Sequence, residues 1–190
     1  KVWYERIGDG ELQRSVDESL KKLRTDHVDL LLIHWPNPKF PLGESLQALS
    51  DVKAAGKARN IGVSNFPTAL LKDAVERHKA DLLCNQVEYH PYLGQADVIA
   101  ACARHGMAFV AYSPIAKGRV KGDRALARIG DRYRKTAAQI CLRWLVQQNV
   151  SAIPRTSKLE RLQENIDIFD FELSDEDMRE ISTMGSAAAR

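Results

Sequence analysis

The chain has 190 residues, enough for one sizeable core, and its 44% apolar and 28% charged residues are the balance of an ordinary globular domain. A net charge of +3, with basic residues scattered among acidic ones, offers no stripe for nucleic acid; the longest uncharged apolar run, near Leu30 to Ile33, is far short of a membrane span. Cys84, Cys102 and Cys141 stand far apart with no C-x-x-C pair, a pattern of buried thiols in a reduced, cytoplasmic protein and not of a disulfide scaffold or zinc knuckle, and the opening Lys1-Val2-Trp3 lacks the pattern of a signal peptide.

In chain order, Leu12, Val16, Leu20 and Leu23 recur at helical spacing between Gly10 and Lys22. The run Val28-Asp29-Leu30-Leu31-Leu32-Ile33 suits a strand buried on both faces of a parallel sheet. Leu46, Leu49 and Val52 mark a second helix, which Gly56 can end. Asn60 to Val63 reads as a strand. Pro67 can open the next helix, with Leu70, Leu71, Ala74 and Val75 as its apolar face. Leu82 to Val87 predicts a strand, Val98 to Ala103 a helix, and Met107 to Tyr112 a strand. A longer helix over Ala137 to Gln147 leads into a last strand at Val150 to Ile153. Two helices follow, from about Leu159 and from Asp175, the second capped by Ser174.

Strand and helix alternate at the size of βαβ units, roughly 25 to 40 residues apart. Such a series is α/β and makes either an open doubly wound sheet or a closed barrel. No G-x-G-x-x-G follows any strand, which disfavours a dinucleotide-binding open sheet.

Nearly every strand ends in polar residues: Ile33-His34-Trp35-Pro36, Val63-Ser64-Asn65-Phe66, Asn85-Gln86-Val87-Glu88, Ala111-Tyr112-Ser113-Pro114 and Ile153-Pro154-Arg155-Thr156. In a parallel barrel the carboxyl ends of all strands share one rim, where active sites are built. His34, Ser64, Asn65, Gln86, Tyr112 and Arg155 are therefore expected to converge on one pocket. Any one of them alone reads equally well as structural; five such endings in succession do not. Ser64, Asn65 and Gln86 suit a carboxamide, and Tyr112 offers a face for stacking on an aromatic ring. Arg155, Thr156 and Arg161 cluster at a helix start, a place for phosphate groups, although a solvated helix face would look similar. A ring with a carboxamide, joined to phosphates, describes a nicotinamide dinucleotide.

These same segments resemble the aldo-keto reductase family. Asp29-Leu30-Leu31-Leu32-Ile33-His34-Trp35-Pro36 is similar to the signature around its catalytic histidine, and Ile61 to Phe66 and Asn85 to Pro91 to the two motifs that follow. Ala111-Tyr112-Ser113-Pro114 resembles the segment with the nicotinamide-stacking tyrosine. Ile153 to Ser157, followed by Arg161, Glu164 and Asn165, resembles the motif that grips the adenosine 2′-phosphate. The resemblance spans essentially all 190 residues and is nearest to bacterial 2,5-diketo-gluconate reductases, which also reduce methylglyoxal and other small aldehydes.

The resemblance implies a (β/α)8 barrel, with this chain covering from the end of strand 3 to the C-terminal helices. Residues 1–190 are then a single barrel domain, incomplete at the N-terminus and also at the C-terminus. It implies NADPH as cofactor, bound by Ser64, Asn65, Gln86, Tyr112, Ser113, Arg155, Thr156, Arg161, Glu164 and Asn165. His34 and Lys1 match two members of the catalytic tetrad, and Trp3 and Trp35 would wall the substrate pocket. The tetrad's aspartate and tyrosine have no match here, since Tyr4 follows the lysine and lacks the family context, so this chain alone is expected to be inactive. An upstream segment of three strands is expected in the working protein, because a barrel without it leaves open edges and uncovered apolar surface. A monomer acting on a small-molecule carbonyl is expected, with no metal, nucleic acid or membrane.

Two rival readings are a non-catalytic NADPH-binding barrel that lacks the acid tyrosine, and a metal-dependent hydrolase using His34, Glu88 and His90. The second is disfavoured because no strand end carries H-x-H.

Overall fold

A computed structural model describes residues 1–8 and 10–187, with side chains described up to residue 185. The chain falls into two compact units: Lys1–Gln86 with Asp97–Ala108, and Val87–Ala96 with Phe109–Arg190.

In the first unit, a 3-10 turn at Tyr4–Arg6 precedes helix α1 (Glu11–Leu23), whose Leu12, Ser15, Val16 and Leu20 are buried along one face. Arg24 ends it in the left-handed conformation, and its N–H caps the carbonyls of Leu20 and Lys21. Strand β1 (Val28–Ile33) lies parallel to β2 (Ala58–Ser64), and helix α2 (Leu42–Ala54) connects them. β2 lies parallel to β3 (Cys84–Glu88). Helix α4 (Ala96–Arg104) completes this unit. The register sets the ends level: Ile33 faces Val63, Val63 faces Asn85, and Ser64 faces Gln86. The residues after these positions therefore emerge on one rim.

The second unit holds β4 (Ala108–Tyr112) parallel to β5 (Ser151–Ala152), with Val110 opposite Ser151 and Ala111 opposite Ala152. Between them run a 3-10 segment at Ala116–Gly122 and helices α5 (Arg124–Tyr133) and α6 (Ala137–Gln147). Thr136 and Gln139 form a reciprocal capping box at the start of α6. The fully buried Trp144 of α6 packs against Tyr89, ring centroids 5.1 Å apart, and its indole N–H donates to Ser182 Oγ at 3.1 Å. Helices α7 (Leu159–Ile166) and α8 (Asp175–Ala187) close the chain. As expected, Ser174 caps α8, its Oγ accepting from the Asp177 N–H at 3.2 Å.

The structure corrects several expectations. Leu30 is 38% exposed, so β1 is buried only over Leu31 to Ile33. On the edge of β1 away from β2, the bridge found among the described residues is Val2 to Ile33, which covers just the strand's end. The helix opened by Pro67 is α-helical only over α3 (Thr68–Lys72), then widens into a π turn at Asp73–Arg77 closed by His78 N–H to Asp73 O at 3.1 Å. The wider turn buries Leu71 and Ala74 and leaves Leu70 and Val75 half-covered. β5 is shorter than its apolar run because Pro154 has no N–H for a ladder. α5 was not expected. Its start is set by Asp123, whose carboxylate accepts from the N–H groups of Ala125 and Leu126.

Among the described residues no helix is long and apolar enough to cross a membrane, and no three His, Cys, Asp or Glu side chains form a metal-binding group.

Candidate functional site

Each unit carries its own set of expected site residues. In the first, the level ends of β1, β2 and β3 are tied together by hydrogen bonds. Val2 pairs with the end of β1, its N–H donating to Leu32 O at 2.8 Å and its carbonyl accepting from the His34 N–H at 2.9 Å. This pairing brings Lys1 and Trp3 to the rim. The Lys1 ammonium donates to Gln86 Oε1 at 2.5 Å, and the Trp3 ring meets the His34 imidazole edge-on at 5.1 Å. Ser64 is fully buried, and its hydroxyl donates to the Gln86 carbonyl at 2.7 Å. The Asn65 backbone N–H donates to that same carbonyl at 2.9 Å.

Asn65 holds this rim in a conformation few residues adopt. Its φ of +62° is left-handed, where asparagine is the best tolerated residue after glycine. From there its amide reaches the His34 carbonyl at 3.0 Å and Ser64 Oγ at 3.1 Å. Left-handed non-glycine residues cluster where surrounding structure imposes them for function. Lys1, Trp3, His34, Ser64, Asn65 and Gln86 thus form one connected group.

Burial is the main cause that lowers the His34 pKa below its ordinary value, and the positive charge of Lys1 adds to it. The imidazole is thereby favoured as the neutral form, able to donate one hydrogen bond and accept another. Partial desolvation also lowers the pKa of Lys1. Trp3 is 46% exposed and Trp35 43% exposed, so neither is an ordinary core aromatic.

In the second unit, Ser113, Arg155, Thr156, Arg161, Glu164 and Asn165 line one cavity of about 610 Å³. Ser113 follows β4 with φ +49°, a left-handed turn like that of Asn65 after β2. Arg155 and Thr156 follow β5, and Arg161, Glu164 and Asn165 come from α7. Thr156 Oγ1 accepts from the Lys158 N–H at 3.1 Å and braces the helix start. Glu164 accepts from Thr136 Oγ1 at 2.8 Å. Tyr112 is half-buried and does not line this cavity; burial first, and the Glu88 carboxylate second, push its phenol pKa up.

Three site features were missed in the sequence. Lys117 and Lys121 also line the cavity, so among the described residues four cations and one carboxylate line it. The signal was present in the basic run Lys117-Gly118-Arg119-Val120-Lys121 directly after the expected strand end. The third is Asn85, fully buried, whose amide donates to Phe66 O at 2.9 Å and whose carbonyl accepts from the Phe66 N–H at 3.4 Å. It pins the loop that carries Asn65. By charge, the cation-rich cavity suits an anionic group.

A family profile described as the aldo/keto reductase family matches residues 1–185. The chain is 37% identical over 187 residues to the methylglyoxal reductase DkgB of Escherichia coli O157:H7, covering 97% of this chain and 70% of that protein. It is 39% identical over 184 residues to a glyoxal reductase of Bacillus subtilis (strain 168), covering 97% of this chain and 66% of that protein. A crystal structure of a protein provisionally assigned as a 2,5-diketo-D-gluconic acid reductase B superimposes with a TM-score of 0.93 at 47% identity, covering 96% of this chain and 66% of that one. An aldo-keto reductase solved with NADPH gives a TM-score of 0.90 at 31% identity, covering 96% of this chain and 62% of that one. The chain therefore spans about two thirds of the length of these relatives. Its fold class is α/β, that of the (β/α)8 barrel, of which it supplies a part. By profile, sequence and fold together, this chain belongs to the aldo/keto reductase family of oxidoreductases.

Proposed function

We propose that the protein reduces the carbonyl group of small aldehydes and ketones, with NADPH as the hydride donor. One observation carries this reading: the backbone of His34, whose imidazole is favoured as the neutral form, is hydrogen-bonded to Val2 and Asn65 in the same strand-end group where Lys1 donates to Gln86. When bound, the cofactor supplies a hydride from its nicotinamide ring. The residues of this chain bind, orient and hold charge.

His34 donates a hydrogen bond to the substrate carbonyl oxygen, where negative charge develops, and so fixes the carbonyl for attack. The Lys1 ammonium beside it favours that charge. Asn65 and Gln86 hold the carboxamide, Tyr112 stacks on the ring, and Trp3 and Trp35 wall the substrate pocket with half-exposed apolar surface. Arg155, Thr156, Arg161, Glu164 and Asn165, with Ser113, hold the phosphates and the adenosine end. The cavity's excess of cations supports this assignment.

Methylglyoxal, glyoxal and 2,5-diketo-gluconate are the substrates to try, because relatives are named for reducing them. In this reading residues 1–190 belong to a single barrel domain, and the enzyme acts as a monomer in the cytoplasm. The three free, buried cysteines support a reducing compartment.

The test is the consumption of NADPH by the full-length protein with each of these carbonyls. Turnover with at least one is expected. NADPH binding with no turnover on any carbonyl would overturn the reading and favour a non-catalytic dinucleotide-binding barrel.

A further inference from the structure

Beside the end of β1, the strand that leads into His34, lies a second cavity, of about 360 Å³, within the first unit. Its walls are apolar. Ile33 and Phe66, both buried, form the floor, and Pro36, Pro38 and Pro41 form a side whose φ angles the rings lock. Among the described residues, no charged side chain lines it.

Among the described residues, two polar side chains line it. Asn37 is paired with the protein at both ends of its amide: its N–H donates to Tyr4 O at 3.0 Å and its side-chain carbonyl accepts from the Lys39 N–H at 3.0 Å. Ser45, on the first turns of α2, differs. It is 2% exposed, and its hydroxyl has no hydrogen-bond partner among the described residues. A buried hydroxyl left unpaired has given up its hydrogen bonds to water with nothing in return, which is unfavourable. Helical serines commonly relieve this by bonding the carbonyl four residues back, but here Pro41 O accepts from the Ser45 N–H and not from its hydroxyl.

We propose that this cavity is a binding site for a compact, neutral, apolar molecule bearing one hydroxyl group, which pairs with Ser45. The size is in the range of small-molecule pockets, and the apolar walls favour an uncharged guest. A single unpaired hydroxyl calls for a single polar group on the guest. The proline wall makes the site largely preformed, so little ordering opposes binding. Ser45 turns on one torsion, which lets its Oγ face a guest without backbone movement. Its lining shares no residue with the rim of His34, Asn65 and Gln86, and it does not depend on the carbonyl-reduction reading. It does adjoin His34 along the chain, since Ile33, the last residue of β1, and Pro36 both line it.

The experiment compares two probes of like shape, 2-naphthol and 2-methylnaphthalene, by saturation-transfer NMR and fluorescence titration on the full protein. The wild type is expected to bind both and to prefer the naphthol by roughly 2- to 10-fold, the span of one net hydrogen bond. Ser45→Ala should keep binding and lose that preference. Leu70→Trp, which fills the cavity, should weaken both probes at least 10-fold. If Leu70→Trp does not fold, Leu42→Phe and NMR shift mapping on the wild type locate the site instead. An unchanged preference in Ser45→Ala overturns the pairing. Undiminished binding in the filled variants, or a crystal soaked with naphthol showing only a water at Ser45, overturns the site.

Discussion

The side chain of Lys1 spans from the edge of β1 to the end of β3 by donating to Gln86 Oε1 at 2.5 Å, and its charge also acts on His34. One cation is thereby tied to two strand ends at once. Its effect on His34 has a definite sign. A neighbouring positive charge disfavours the imidazolium, so it lowers the histidine pKa.

Replacing that cation should therefore raise the pKa. In Lys1→Met, the His34 imidazole should titrate at a higher pH than in the wild type, yet still below about 6.5, because burial, the larger cause, remains. An NMR titration of the ring protons reads this directly; a midpoint that stays put or falls would show that Lys1 is not the partner. By linkage, the folded chain binds this proton less readily than the unfolded chain. Acidification through about 6.5 therefore weakens the folded state at this residue.

His34→Ala should lower turnover of the full enzyme by about 100-fold or more, the scale of a lost positioning or proton-transfer group. Circular dichroism should show the fold retained, since the half-buried ring carries little of the core. Turnover equal to the wild type would remove His34 from the chemistry.

Arg161→Ala should weaken NADPH by about 1.5–3 kcal/mol, the range of a hydrogen bond to a charged group, and leave NADH nearly unchanged. Titration of both cofactors by fluorescence separates the cases. Equal losses for the two would place Arg161 away from the 2′-phosphate.

Asn85→Ala should destabilise the chain by about 1–3 kcal/mol, because the Phe66 N–H and C=O lose their buried partner. Denaturant unfolding measures this. Activity should fall as well, through the loop that presents Asn65. A variant as stable as the wild type would mean that Phe66 finds other partners.

Gly130→Ala should destabilise although alanine is the better helix former by about 1 kcal/mol. A Cβ at this position of α5 would run into the Lys135 backbone carbonyl, which cannot move aside without breaking the turn into α6. A rise in melting temperature would contradict that contact.

The residues decided much of this in advance. α6 begins and ends where its apolar spacing puts it, and β1 matches its run of leucines to the residue. The strand-end motifs were legible because His34, Asn65, Gln86, Tyr112 and Arg155 interrupt apolar runs, where polar groups need a reason. Helix α5 was harder to see. Leu126, Ile129 and Gly130 are a short apolar stripe among arginines, and the capping role of Asp123 depends on a backbone bend that follows a segment with left-handed Ala116 and Lys117.

By itself, then, the amino-acid order determined the alternation of strand and helix, the polar tips and the family. Those depend on local spacing and on residue types that pack or cap within a few positions. Only the tertiary structure decided that Lys1 reaches Gln86 across 85 residues of chain, that Lys117 and Lys121 join Arg155 and Arg161 around one cavity, and that Ser45 is left with an unpaired hydroxyl. Strand register and the course of loops set those meetings, and both follow from how the whole core packs, which no short window of sequence contains.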